Sequence, residues 1–131
     1  MPIRQRIAVT GAVDQFGRVQ AVGGVNEKIE GFYRICAHRG LTGEQGVILP
    51  ESNLSNLCLN KDVIEAVEQG QFHIWHVSDV NDAVELLTGL SFGGDEEAET
   101  VLDKIADRIE QLHQHDECGL FSRLKNWFVQ N

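Results

Sequence analysis

The residue whose type and place most invite chemistry is Lys28, which follows directly on Gly23-Gly24-Val25-Asn26-Glu27 at the predicted start of a helix. A helix start carries partial positive charge, so an exposed cation there is the wrong sign by roughly 0.3–1 kcal/mol. An amine held near that charge and partly desolvated by apolar neighbours is biased toward its neutral form, because both effects disfavour the ammonium. A neutral amine is what a lysine general base requires. The plain alternative is a solvated surface lysine, the usual state of an isolated one.

Other reactive types are less well placed. His113-Gln-His115-Asp-Glu-Cys118 sets three metal-ligand types close together, but a structural zinc site draws its fourth ligand from a second spaced pair. Polar decoration of a helix end is the simpler reading, and no metal is expected. Cys36 and His38 point to different parts of a helix, and His73 and His76 to opposite faces of a strand, so neither makes a nucleophile and base. Cys36 reads as a small buried hydrophobe. Ser52, just past Pro50 at a strand end, and Ser55 read as turn or cap hydroxyls.

The elements that must position these groups follow from periodicity. Residues 6–13 and 18–22 predict two strands of a hairpin, with Asp14 opening and Gly17 closing a type I turn. Gly23-Gly24 ends the second strand, and Asn26 is the expected N-cap of a helix over about residues 27–39. Ile29, Phe32, Tyr33 and Cys36 define its buried face and Gly40 its stop. Val47-Ile48-Leu49, closed by Pro50, predicts a buried central strand. A short helix is expected over 61–69, with Val63, Ile64 and Val67 inward, then a strand from Phe72 to Val77. Ser78 or Asp79 caps a further helix in which Val80, Ala83, Val84 and Leu87 share a face. The order strand, helix, strand, helix favours parallel pairing with helices packed on the sheet.

Gly89 to Glu99 contains Gly93-Gly94 and then four acids in five residues, which predicts a flexible boundary. Beyond it, Val101, Leu102, Ile105, Ile109 and Leu112 form one helical stripe, and Leu120, Phe121, Leu124, Trp127 and Phe128 a second. These stripes have three open fates: folding back on the body, pairing with each other, or docking on a neighbouring subunit. The expected division is therefore a body over 1–90, an acidic Gly-containing linker over 91–99 and a helical extension over 100–131.

Composition bounds the function. The 131 residues are 42% hydrophobic and 24% charged, as for a soluble globular domain. A domain of this size buries roughly two-thirds of its unfolded surface and needs no staple. Three cysteines, an odd number, argue for a reducing compartment and hence the cytoplasm. No apolar run approaches the ~18 residues of a membrane span, and the first residues lack a secretory signal. The net charge of -9 disfavours nucleic acid as partner. Yet residues 1–39 are net +3 and the remainder net -12, so the functional face is expected on the first segment.

The run Gly17-Arg-Val-Gln-Ala-Val-Gly-Gly-Val-Asn-Glu-Lys28-Ile-Glu-Gly, followed by Gly46-Val-Ile-Leu-Pro-Glu-Ser-Asn53, resembles the proteolytic domain of the Lon family of ATP-dependent proteases. Val9-Thr10-Gly11 matches the family's threonine-glycine strand at the right distance from the lysine. The likeness extends over about residues 6–88 and rests on the ordered set, since a lone Gly-Gly carries nothing. Ala21 departs from it, where the family commonly has proline. The resemblance implies a Ser-Lys dyad, with Lys28 taking the serine proton and Thr10 orienting the amine. Asn26 and Glu27 fall on variable positions and receive no role. Thr10 is not itself a promising nucleophile, because amine-activated threonines use their own N-terminus.

One feature of that pattern is missing. The family's serine lies well upstream of the lysine, whereas the first serine here is Ser52. The phosphate loop G-x-x-x-x-G-K-[ST] is also lacking. What the resemblance implies is therefore the C-terminal part of an α+β, α/β-like proteolytic domain of the ribosomal protein S5 domain 2 type, truncated at its N-terminus, with a C-terminal helical extension. Such a fragment of a serine endopeptidase is expected to be inactive alone and to hold no cofactor, ATP belonging to the full-length enzyme. Polypeptide substrates and a homo-oligomeric ring, hexameric by analogy, are implied as partners. A second class of reading is a non-catalytic interaction module that keeps the fold, its surface supplied by the acidic linker and aromatic stripe. A third, nucleic-acid binding by analogy of fold, has only the basic first segment behind it.

Overall fold

The computed structural model describes residues 2–94 and 99–117. The chain divides into two compact units, residues 1–89 and 90–131. In the first, three short strands, β1 (Ile7–Val9), β2 (Ala12–Val13) and β3 (Val19–Gln20), precede helix α1 (Val25–Arg39). Strand β4 (Gln45–Pro50), a 3-10 turn (Glu51–Asn56), helix α2 (Lys61–Glu68), strand β5 (Phe72–Val77) and helix α3 (Val80–Thr88) follow.

The sheet has the order β1-β4-β5 and is parallel throughout, as two strand-helix-strand crossovers require. Side chains alternate along β4, so Val47 and Leu49 face one side and Ile48 the other. Val47 and Leu49 join Val25 and Ile29 of α1, Val63 and Ala66 of α2 and Phe72 in the larger core. Ile48 packs with Val77 and Ala83 of α3 across the sheet. Burying a side chain such as Ile29, wholly inaccessible, contributes on the order of 1.5–3 kcal/mol. The Tyr33 ring meets Phe72 edge-on at 5.4 Å, which fixes how α1 lies on the sheet.

Three expectations are corrected. Residues 6–13 are not one strand: β1 joins the parallel sheet while β2 pairs antiparallel with β3. The break falls at Thr10-Gly11, where the Thr10 N–H still donates to Ile48 O at 3.0 Å, so β-propensity was right and partner choice was not legible. Asn26 is not the N-cap of α1. Gly24, left-handed at φ 68, takes that position without a side-chain cap, and Asn26 is bonded elsewhere. Ile64 is exposed, and Ala66 is buried instead, because the face that turns toward β5 runs through 63, 66 and 67 at helical spacing.

The hairpin turn is held as its sequence suggests. Asp14 Oδ1 accepts from the N–H groups of Phe16 (2.8 Å) and Arg18 (3.0 Å), and Gly17 takes the positive φ of 83. Partial burial pushes the Asp14 carboxyl up, but the Arg18 and Phe16 N–H groups and the Arg18 guanidinium outweigh it and hold the carboxyl below its usual range. A depressed carboxyl adds stability that is complete above the ordinary carboxylate range and is lost as pH falls through the depressed value. The hairpin signals of Phe16 and Arg18 are therefore expected to change in an acid titration followed by NMR, and Asp14→Ala to abolish that transition. A transition persisting in the variant would exclude Asp14 as its source.

In the second unit, helix α4 (Val101–Glu117) opens on a reciprocal cap. Thr100 N–H and Oγ1 donate to Asp103 Oδ2 at 2.8 and 2.7 Å, and Asp103 N–H donates to Thr100 Oγ1 at 3.3 Å. The two bonds donated by Thr100 hold the Asp103 carboxyl low, and the reciprocal bond satisfies a helix-start donor. Residues 95–98, the side chain of His115, Cys118 and the stripe Leu120 to Phe128 lie outside the described residues. Among the described residues no helix is long and apolar enough to cross a membrane.

Candidate active site

In a parallel sheet the strands all end at one edge, and the helices that follow them begin there; this is where such folds collect functional groups. Thr10 follows the last residue of β1 at that edge, and α1 and α3 bring Lys28 and Val80 to the same opening. Lys28 Nζ donates to Thr10 Oγ1 at 3.2 Å. The two residues are 18 apart in sequence and are brought together by different means. Thr10 is tied to β4 through Ile48, while Lys28 rides on the first turn of α1, its own N–H donating to Gly24 O at 3.1 Å.

Gly24 begins the helix in a left-handed conformation that costs any residue with a Cβ about 1–2 kcal/mol. What precedes it is held from outside: Asn53, 4% exposed, accepts from Val22 N–H and donates to Val22 O, both at 3.0 Å. The outer face of α1 is stitched to the same stretch of chain. Asn26 Nδ2 donates to Asn56 O (3.2 Å) and Asn26 Oδ1 accepts from Cys58 N–H (3.0 Å). One turn on, Glu30 accepts from Asn60 N–H (3.0 Å) and Nδ2 (2.7 Å).

Lys28 and Thr10 border a cavity of about 560 Å³, walled by apolar side chains that include Val9, Val13, Val19, Val80 and Leu87. The hairpin forms one wall, locked to the start of α3 by Val19 N–H to Ser78 O (2.8 Å) and Val80 N–H to Gly17 O (2.9 Å). Val80, Val84 and Leu87, expected to share the helix face that packs on the sheet, are only half-buried and line this opening. Lys28 itself is exposed rather than sheltered among apolar neighbours. An amine on a hydroxyl acceptor beside an apolar trough can exchange a proton with a second hydroxyl brought alongside it.

The remaining candidates are occupied otherwise. Ser78 donates to the Glu51 carboxylate, and Ser52 and Ser55 do not line the cavity. Burial pushes the Cys36 thiol up against the opposing effect of Arg39, which makes it a poor nucleophile. His73 Nε2 lies 2.8 Å from Gly43 O and its ring stacks on Trp75 at 5.3 Å, both packing roles. Among the described residues no three His, Cys, Asp or Glu groups are arranged to hold a metal. Sequence reasoning misassigned Asn26 and gave Asn53 no role. The signal for Asn53 was a polar residue closing an otherwise apolar strand motif.

Residues 1–89 match the Lon protease (S16) C-terminal proteolytic domain, and the chain belongs to that family. Over 134 aligned residues it is 48% identical to the "Putative Lon protease homolog" of Escherichia coli (strain K12), covering 100% of this chain and 23% of that protein. It is 55% identical over 89 residues to the protein of the same name from Haemophilus influenzae, covering 68% of this chain and 15% of the relative. An archaeal Lon protease from Methanocaldococcus jannaschii is 34% identical over 94 residues, 72% of this chain and 12% of its own length. The chain thus spans under a quarter of the length of these relatives.

Proposed function

We propose that this chain is the lysine-bearing part of an ATP-dependent serine endopeptidase that hydrolyses peptide bonds of polypeptides through a Ser-Lys dyad. The observation that carries the reading is the Lys28–Thr10 hydrogen bond at the rim of an apolar cavity, in a chain of the Lon family. A serine hydroxyl contributed by another part of the full-length enzyme attacks the substrate carbonyl carbon as its proton passes to the Lys28 amine. The tetrahedral intermediate collapses, the C–N bond breaks, and Lys28 returns the proton to the leaving amine. Water then releases the acyl group from the serine by the same route. Thr10 Oγ1 accepts one N–H of the amine and so orients it toward the serine. The cavity takes apolar side chains of an extended polypeptide.

In this reading residues 1–90 are the proteolytic body, of the ribosomal protein S5 domain 2 type, with 91–99 an acidic connector and 100–131 a helical extension. ATP acts in a module outside this chain, the full-length protein works in the cytoplasm as a homo-oligomeric, hexameric ring, and the chain alone is inactive. A fluorophosphonate, which labels activated serines covalently, tests it. The full-length polypeptide is expected to hydrolyse a fluorogenic peptide, faster with ATP, and to be labelled at one serine outside residues 1–131. Labelling at Ser52, Ser55 or Ser78 instead, or a full-length protein neither labelled nor active, would reject the reading.

A further inference from the structure

Asn53 and Thr100 are the buried polar side chains among the described residues. Thr100 caps its own helix; Asn53 reaches 31 residues back along the chain to Val22. Its carboxamide gives Val22 one acceptor and one donor, the pair of bonds a neighbouring strand would exchange with it. Val22 precedes Gly23-Gly24, and glycines impose the least local preference on backbone direction. The approach to the first turn of α1 is thus held from outside at Val22 by Asn53, ahead of the bonds that Asn26 makes within the turn itself. Four residues after Gly24 comes Lys28, whose amine must reach Thr10 on a different element.

We propose that Asn53 is a positioning residue for Lys28: by acting as a one-residue strand against Val22 it fixes the start of α1 so that the amine meets Thr10. The proposal rests on Lys28 being the catalytic base, but it is tested without catalysis. The chain has four lysines, so its Cε and Nζ signals are readily assigned by NMR, and Thr10→Val marks the position of the Lys28 signal when the bond is lost. Asn53→Ala is expected to move the Lys28 signal at least halfway to that position. Val63→Ala, which truncates the same core that Val22 and α1 pack on but leaves both Asn53 bonds in place, is expected to lower the melting temperature and leave the signal in place.

Asn53→Asp adds a reading that loss of stability alone does not produce. At neutral pH the new carboxylate keeps the acceptor for Val22 N–H but has no donor for Val22 O, and the Lys28 signal shifts. As the pH falls the carboxyl gains an O–H, both bonds are restored, and the signal returns. A folded Asn53→Ala or Asn53→Asp with an unmoved Lys28 signal, or an equal shift in Val63→Ala, overturns the proposal. So does failure of the protonated Asn53→Asp chain to fold, since that form reproduces both bonds. In the full-length enzyme, Asn53→Ala lowers kcat roughly 10- to 100-fold with KM unchanged, as expected for a displaced catalytic group. Lack of hydrolysis by the wild-type enzyme would count against the base assignment and leave the spectral result standing.

Discussion

Lys28→Arg in the full-length polypeptide is expected to abolish peptide hydrolysis as completely as Lys28→Gln, with kcat falling about 10²–10⁴-fold, the usual worth of a general base. Arginine keeps the positive charge and can still donate to Thr10 Oγ1 at the distance lysine spans, so charge and hydrogen bonding survive the change. What it cannot do is give up a proton and take one from an alcohol, because its guanidinium stays protonated in proteins. KM should hardly change in either variant, since the amine touches the reacting hydroxyl and not the substrate side chains. Thr10→Val removes the acceptor and leaves the amine free to turn. It is expected to cost about tenfold in kcat, the lower end for a misplaced reacting group. Retained hydrolysis in Lys28→Arg would mean the lysine serves as a cation, and the dyad assignment would fall.

The contrast between Lys28 and its supports shows where sequence is informative. Lys28, Thr10 and the glycines around them form an ordered set whose spacing is visible without coordinates. Helices α1, α2 and α3 are equally visible, because a buried face repeats at helical period. Choices among long-range partners are not. Within residues 6–13 Gly11 marks where a strand can bend, but nothing in the segment names the partners, β4 for β1 and β3 for β2. Asn26 satisfies the rules for an N-cap, yet Asn56 and Cys58, some 30 residues on, take both ends of its side chain. Val80, Val84 and Leu87 have the right spacing for a core face, but periodicity reports which side chains share a face and not whether anything fills the space opposite.

Gly46 is expected to be the position where one added methyl does most harm to the fold. It is buried in β4 between Ile7 and His73, and a Cβ there would lie 2.5 Å from Trp75 Cζ3 and 2.9 Å from the carbonyl carbon of His73, with the His73 oxygen closer still. The indole could swing away, but the His73 carbonyl belongs to the neighbouring strand backbone and can yield only by separating β4 from β5. Gly46→Ala should therefore exceed the ordinary penalty for overpacking and cost about 3 kcal/mol or more. For a body of this size that corresponds to a fall in melting temperature of roughly 12–24 °C. Tryptophan fluorescence, read in a Trp127→Phe background so that Trp75 is the one emitter, should report the loss of packing in the same melt. Gly31→Ala supplies the opposite case in the same chain, because a Cβ at that helical position meets nothing within 4 Å. It should stabilise by about 0.5–1 kcal/mol through helix preference alone. If the two substitutions moved the melting temperature equally, glycine flexibility rather than close approach of β4 to β5 would be what Gly46 contributes. Since β4 also carries Ile48, whose carbonyl holds Thr10, spreading the two strands is expected to displace the acceptor for Lys28 before the chain unfolds.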